Sequence, residues 1–410
     1  SMRPGLISPR SGASVLTGRT ILQIIPELNA GGAERTAIDV AAALAQAGAR
    51  ALVASEGGRL VSELQALGGV WIPFPARTKN PISMALNVGR LKDVIAREGV
   101  DLVHARSRAP AWSALGATRS LRKPFVTTYH GAYGARSQIK AFYNSVMARG
   151  DVVIANSHYT ARLIESAYPE SAGRIIAIHR GADLRAFAPD AVHPARVQKL
   201  RAQWGVQPDE RVVLLAARLT AWKGQRVLIE AARILSGDAS LRDVRYVLAG
   251  DPQGRAGYVR ELDQQIAEAG LAGVVLRVGH CEDMPAAFLA ADCVVVASTE
   301  PEAFGRSAVE AQAMGAPVVV TDIGAVPETV LAPPETPDDA RTGWRIPPND
   351  APALARSVAH ALSLGASQRD ALALRARGHV EAHFSLPKMC AQTLEIYAAL
   401  LEGRRPQPIA

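Results

Sequence analysis

The chain has 410 residues, 48% of them hydrophobic, which is enough for two substantial domains with large buried cores. A charged fraction of 20% with 34 Gly and 26 Pro excludes a disordered chain and a repetitive fibre. The formal charge of +8 permits an anionic partner, nucleic acid or membrane surface, and requires neither.

The first nineteen residues carry basic side chains and a short apolar patch without a continuous secretory core, and they read as a loose N-terminus. ILQIIPEL at 21–28 is a compact apolar run that stops at Asn29, Ala30, Gly31 and Gly32. The period then changes. Ala33, Ala37, Val40, Ala41 and Leu44 share one helical face, while Glu34, Arg35, Asp39 and Gln46 stay toward water. Strand candidates recur at 51–55, 70–74, 101–105, 124–129, 151–155 and 174–178, with helix-length segments between most of them. That alternation predicts a parallel α/β sheet covered on both faces.

Pro189, Pro194 and Pro208 interrupt a polar connection over 183–210, and RVVLLAA at 211–217 restarts the pattern. A helix (GQRVLIEAARIL), a strand at 244–250, a second helix (AGYVRELDQQIAEAG) and the buried-type strands VVLRVG, CVVVAS and PVVV follow. Two Rossmann-like halves with a ligand cleft between them fit this better than one enormous sheet. The expected domains span 20–195 and 205–380. FSLPKMCAQTLEIYAALLEG predicts a C-terminal helix within 385–403, whose simplest role is packing and which in a two-domain chain can return to brace the first domain. PPETPDD around 333–339 reads as a surface loop.

Cys281, Cys293 and Cys390 form neither a CxxC pair nor a disulfide ladder, which points to a reducing compartment. No apolar run approaches the roughly 20 residues of a bilayer span, so only peripheral attachment stays open.

Three segments carry the chemistry. At the first turn, Gly31 and Gly32 permit close backbone approach to an anion, and the following helix offers unpaired N–H groups. A plain tight turn needs the same residues. The segment is neither a Walker sequence nor GxGxxG, which weighs against NAD or FAD. In ARLTAWKGQRV, Arg218 directly follows a strand and Lys223 lies five positions later, before a helix. Alone, either is an ordinary surface charge. Together at a C-terminal strand edge they can clamp a diphosphate, the arginine by a forked contact and the lysine as a mobile point charge.

In TEPEAFGRSAVEAQAMGAPVVV, Glu302 and Glu310 flank a glycine turn and about two turns of helix. Glu310 is positioned to accept from ribose hydroxyls, and Glu302 to address a transferred group. Amides around Phe304, Gly305 and Arg306 would face phosphate or sugar at the helix start. A bare glutamate pair signals little; the surrounding strand, turn, helix and strand carry the reading. DLVHARSRAPAW and VTTYHGAYG put His104, Arg106, Arg108 and His130 after strands of the first domain, on its expected cleft edge.

NAGGAE (29–34), ARLTAWKGQ (217–225) and PEAFGRSAVEAQAMGAPVV (301–319) together resemble the retaining, nucleotide-sugar-dependent glycosyltransferases of family 4, with their GT-B architecture. The resemblance covers nearly everything from 20 to 400. It implies two Rossmann-like domains facing across a cleft, a donor held mainly by the second, an acceptor approached mainly from the first, and a C-terminal helix crossing back. By resemblance, Arg218 and Lys223 match donor-diphosphate contacts, Glu310 the ribose contact, Glu302 the first acid of the paired-glutamate motif, and Gly32 the turn that approaches the phosphate. His130 matches a histidine that contacts the transferred sugar. Ala217 departs from the glycine usual before the arginine, and HRGAD at 179–183 stands for the usual Asn-Gly-Val/Ile-Asp turn, leaving Asp183 as a hinge or cleft residue. ARSRAPAWS further resembles a branch that builds the bacterial lipopolysaccharide core, where mannosyl transfer is known.

The resemblance implies transfer of a hexose from a GDP- or UDP-linked sugar, with no other cofactor, to a hydroxyl of a glycan or lipid-linked glycan. His130, Arg218, Lys223 and Glu302 are the expected catalytic set; Gly31, Gly32, Phe304, Gly305, Arg306 and Glu310 add to the donor contacts; His104, Arg106 and Arg108 are acceptor-side candidates. No metal is expected. Asp338–Asp339 lies in a proline-rich segment, and His280, Cys281, Glu282 and Asp283 are adjacent where a metal needs separated ligands. The competing readings are a nucleotide-sugar epimerase or sugar phosphorylase of the same architecture and a noncatalytic glycan-binding assembly protein. Arg106, Arg108, Arg119, Arg122, Lys123, Arg136 and Lys140 make the N-terminal half locally basic, which suits a lipid-linked phosphate or an anionic membrane on the cytoplasmic face of an inner membrane. A dispersed solvated surface would look the same. No recognition helix or stacking platform accompanies the charge, so nucleic acid is not an expected partner.

Overall fold

The structure is a computed structural model that describes residues 15–130 and 137–407. It forms two compact units, one running to His179 and resuming at Leu386, the other spanning Arg180–Ser385.

The first unit alternates β1 (Thr20–Ile24), α1 (Gly32–Gln46), β2 (Arg50–Ser55), α2 (Val61–Ala66), β3 (Val70–Pro73), α3 (Pro81–Glu98), β4 (Leu102–Ala105), α4 (Arg108–Leu121), β5 (Phe125–Tyr129), α5 (Gln138–Asn144), β6 (Val152–Ala155), α6 (His158–Ala167) and β7 (Ile175–Ala177). The strands pair in parallel in the order β3-β2-β1-β4-β5-β6-β7. Strand order therefore reverses between β1 and β4. Side chains of β1 alternate between two cores: Ile21 packs toward α1, and Leu22 and Ile24 pack toward α3 and α4. Leu16, within the segment read as a loose N-terminus, is fully buried in the first of these cores. Residues 1–14 lie outside the described residues.

The second unit runs α7 (Pro194–Trp204), β8 (Arg211–Ala216), α8 (Gln225–Leu235), β9 (Val244–Ala249), α9 (Ala256–Glu268), β10 (Val275–Gly279), α10 (Met284–Ala290), β11 (Cys293–Val296), α11 (Arg306–Ala313), β12 (Val318–Thr321), β13 (Trp344–Ile346), α12 (Ala351–Ser363) and α13 (Ala366–His383). Its parallel sheet has the order β10-β9-β8-β11-β12-β13, with the reversal between β8 and β11. Val212 and Leu214 point to one core, Val213 and Leu215 to the other.

Two expectations need correction. The unit boundary falls at 179/180 instead of near 195, and the supposed linker over 183–210 contains α7, whose Leu200 and Trp204 are buried in the second unit's core. Pro194 does not interrupt this helix but occupies its first turn, with His193 Nδ1 accepting from the Ala195 N–H at 3.0 Å. The second unit also closes on itself: the Ala182 N–H donates to the Phe384 carbonyl at 2.7 Å.

The C-terminal helix α14 (Leu386–Leu401) belongs to the first unit. Met389, Cys390, Leu394 and Tyr397 join the core that contains Ile38 and Leu44 of α1. All three cysteines are unpaired thiols. None of the described helices is long and apolar enough to cross a membrane.

Candidate functional site

The second unit holds a cavity of about 150 Å³ at the point where its strand order reverses. Leu215 and Ala216 close it from β8, Val295 and Val296 from β11, and Gly305, Arg306 and Ser307 from the start of α11. Open α/β sheets bind ligands outside the carboxyl ends of strands at such a reversal, because the helices on either side leave to opposite faces and open a crevice.

Lys223 enters this cavity from a 3₁₀ turn (Ala221–Lys223) that follows β8. Its ammonium pairs with the Glu302 carboxylate, and both side chains are mostly withdrawn from water. The ammonium also lies 4.1 Å from the Trp222 ring centroid, and the Arg218 guanidinium lies 6.0 Å from the same ring. A lysine ammonium has three donors, so the Glu302 pair leaves capacity for phosphate oxygens. Glu302 is itself held: Ser298 Oγ donates to its Oε2 at 3.0 Å, and its carbonyl accepts from the Ala325 N–H at 3.0 Å.

Glycine geometry sets these positions. Gly224, after Lys223, has φ +81°, and a Cβ there would sit 1.9 Å from the Ala297 carbonyl oxygen of the neighbouring strand end. Gly305 has φ +92°, and a Cβ there would meet Val326 Cγ2 at 2.4 Å. Both are positions only glycine fills without displacement. Where Ala217 stands in place of the family's glycine, the close approach comes from across the sheet: a Cβ on Gly250 would be 1.8 Å from the Ala217 carbonyl.

Glu310, in the middle of α11, is 7% exposed. Arg306, one turn earlier, reaches it with Nε 3.0 Å from Oε1. Burial pushes the Glu310 carboxyl up to about 7 against the opposing pull of Arg306 and Arg180. Arg180, in turn, has its guanidinium pKa lowered by burial and by Arg306. Arg180 sits in HRGAD, and its proximity to Glu310 had no signal in the sequence beyond an arginine at a turn. Asp183 of the same segment accepts from the Arg185 N–H at 3.0 Å and so shapes a turn. The Phe304 ring is buried and lies 6.2 Å from the Phe384 ring, so this residue offers a ligand its backbone only.

In the first unit, Gly31 caps α1, and its N–H donates to the Glu34 carboxylate. The helix start expected to meet a phosphate thus already carries an internal anion, with Gly32 directly behind it. His130 directly follows β5 and is half-buried; the rest of its loop, 131–136, lies outside the described residues, as does Arg136.

His104 and Arg106 differ from their expected place at an open edge. His104 lies inside β4, fully buried, with Nε2 2.6 Å from Thr128 Oγ1 and Nδ1 bonded to the Tyr397 hydroxyl of α14. Burial holds its imidazole well below the usual pKa. Arg106 is buried beside it and donates from Nε to Gln23 Oε1 at 2.8 Å. Strand alternation turns both toward α1 and α14. Arg108 opens α4, donates to Asn144 Oδ1 at 2.6 Å and lies 5.3 Å from the Tyr143 ring. The adjacent His280–Asp283 run is likewise structural at its end: Asp283 pairs with Arg196 through both oxygens and accepts from the Ala286 N–H at 3.2 Å.

Residues 30–186 match the family model described as Glycosyltransferase Family 4, and residues 196–379 match Glycosyl transferases group 1. The chain is similar to a crystal structure of a glycosyltransferase from Rickettsia africae, at 33% identity and a TM-score of 0.81 over 94% of this chain and 99% of that one. It is also similar to Anabaena Alr3699/HepE in complex with UDP-glucose, at 28% identity and a TM-score of 0.70 over 93% and 99% of the two chains. A D-inositol 3-phosphate glycosyltransferase of Mycobacterium tuberculosis is 33% identical over 245 residues, 58% of this chain. That alignment spans about half, 47%, of the length of the curated relative.

Proposed function

Because the chain belongs to the GT-B glycosyltransferases, joining a family 4 segment to a group 1 segment, we propose that it transfers a hexose from a nucleoside diphosphate sugar to a glycan or lipid-linked glycan hydroxyl with retention of anomeric configuration. The observation that carries this reading is the cavity at the strand reversal of the second unit, where Lys223, Glu302 and the start of α11 converge. The UDP-glucose of the Anabaena relative supports a UDP-linked donor; GDP is the other nucleotide the reading admits.

In this proposal the donor diphosphate takes up the positive charge of Arg218 and Lys223, and the Trp222 ring keeps the two cations beside one another. As the bond from anomeric carbon to phosphate lengthens, negative charge grows on the leaving oxygen, and the cations and the amides opening α11 stabilise it. This charge makes a metal unnecessary. The leaving phosphate accepts the acceptor hydroxyl's proton on the same face of the sugar, so no covalent intermediate on Glu302 is needed. Glu302 orients Lys223 and faces the sugar, Glu310 binds ribose hydroxyls, and His130 contacts the transferred hexose. Of the two turn glycines, Gly31 gives its N–H to Glu34, which leaves Gly32 as the donor-phosphate candidate. Arg108 remains the acceptor-side candidate with a route to solvent. The narrowest form of the reading, supported by the wording ARSRAPAWS, is mannosyl transfer in lipopolysaccharide core synthesis from a peripheral position on the cytoplasmic face of the inner membrane.

Lys223→Ala and Glu310→Ala should lose donor affinity or transfer by at least about tenfold while remaining folded, the loss expected for a charged hydrogen bond. Unchanged binding and turnover in both would sink the assignment. A donor-by-acceptor screen read by mass spectrometry identifies the reaction: a glycosylated acceptor supports transfer, whereas an intact acceptor with an isomerised donor makes the protein an epimerase. Glycan binding without any nucleotide-sugar binding makes it an assembly component.

A further inference from the structure

The first unit carries an apolar patch that its own cores do not use. Four of the five most exposed large apolar side chains among the described residues lie there: Ile139 at 85%, Ile82 at 74%, Phe142 at 61% and Leu86 at 56%. Ile82 and Leu86 are one turn apart on α3, with exposed Ala85 and Gly89 continuing the face. This helix start is well fixed, since Asn80 Oδ1 accepts from the Ile82 N–H at 2.9 Å and Pro81 takes the first position. Ile139 and Phe142 lie three apart on α5. Helix α4 joins the two groups: Ser113 Oγ donates to the Met84 carbonyl at 3.1 Å, and the adjacent Trp112 stacks on Phe142 with ring centroids 5.2 Å apart. Apolar side chains gathered in this way mark an interaction surface, unlike the single exposed leucines normal on any protein.

Charge identifies the partner. From Leu102 to Gly150 the sequence has no acidic residue and eight Lys and Arg, one of which, Arg136, lies outside the described residues. From Leu64 to Lys92 there is again no acid, while Arg77, Lys79, Arg90 and Lys92 are present. Lys79, Arg90 and Lys140 are exposed close in sequence to the apolar residues. The Arg149 guanidinium lies 5.1 Å from the Trp112 ring and 5.2 Å from the Phe142 ring. Apolar side chains flanked mainly by cations, with the exposed Asp93 the next acid along α3, complement a partner that is anionic at its face and apolar beneath. A second copy would bring like charge onto like charge, which opposes a symmetric dimer through this face.

We propose that this face, built from the first turns of α3 and from α5, docks on an anionic lipid bilayer. Ile82, Leu86, Ile139 and Phe142 enter the boundary between headgroups and acyl chains, and Lys79, Arg90, Lys140 and Arg149 meet lipid phosphates. The proposal gives a surface to the peripheral position suggested above, and it stands on observations independent of the donor cavity.

The test is cosedimentation of the full chain with phosphatidylcholine vesicles, with and without phosphatidylglycerol. Binding should require the anionic lipid and weaken about tenfold or more when salt is raised to about 0.5 M. Ile139→Ser with Phe142→Ser, and separately Lys140→Glu, should each weaken it at least about tenfold while donor affinity and thermal melting stay unchanged. Equal binding to neutral vesicles, no binding at low salt, or full binding by both variants would overturn the proposal. So would a lipid-free dimer that the Ile139→Ser, Phe142→Ser variant dissociates, which would assign the face to a second copy. Vesicle binding without nucleotide-sugar binding would sink the proposed reaction and leave this surface standing; the reverse outcome would do the opposite.

Discussion

Glu310 combines a proposed role, read from the sequence, with an environment that the sequence did not show. Its place in PEAFGRSAVEAQAMGAPVV marked it as a ligand contact, but its burial and the approach of Arg180, 130 positions earlier, exist only in the folded unit. A carboxyl raised to about 7 has the opposite linkage from an ordinary paired carboxylate. Between its unfolded value and about 7 the folded state binds the extra proton, so this group favours folding at low pH and its contribution declines as pH rises. The decline is on the order of 3 kcal/mol. Glu310→Gln removes it: comparing urea denaturation at about pH 5 and pH 8, the variant should gain stability relative to the parent as pH rises. A parallel pH dependence in the two proteins would show that Glu310 titrates normally. His104 teaches the converse. A histidine in DLVHARS suggested an open edge, yet a position inside β4 turned the ring into the core, where Thr128 and Tyr397 hold it.

At the scale of elements, the strands could be read directly as short continuous apolar runs, and the strongly periodic helices by apolar positions that repeat at 3.6 residues. Helix α7 escaped because only Leu200 and Trp204 of its eleven residues are buried, and its one proline, Pro194, read as an interruption. Strand β13, three residues long, is too short to show a period. The turn joining β8 to α8 illustrates how an element junction serves the site. Gly224→Ala places a Cβ on the Ala297 carbonyl at a φ of +81°, so the turn that carries Lys223 must shift away from β11. The expected cost is about 1–3 kcal/mol of stability with a loss of nucleotide-sugar affinity, read by urea denaturation and titration calorimetry. Full affinity in that variant would mean that the Lys223 turn is not part of the donor site.

At the scale of the whole molecule, the returning helix is the decisive element. Tyr397 is fully buried, and Met389, Cys390 and Leu394 complete the core beneath α1. Deleting residues 386–410 should therefore expose that core and raise amide hydrogen exchange in α1, β1 and β4, while the second unit, which contains none of the removed residues, keeps its protection. Unchanged exchange in the first unit would show that α14 contributes little. A milder version, Tyr397→Phe, leaves His104 Nδ1 without its hydroxyl partner and should cost about 1–3 kcal/mol by denaturation. The sequence by itself determined the two α/β halves, the glycine turns and the residue types at the candidate donor site, since these depend on local period and on backbone freedom at single positions. Tertiary structure alone decided that the strand order reverses between β8 and β11 and puts Lys223 against Glu302, that Arg180 reaches Glu310, and that His104 and Arg106 face inward. These depend on which strands become neighbours and which face each side chain takes, and both are set by the packing of segments far apart in the chain.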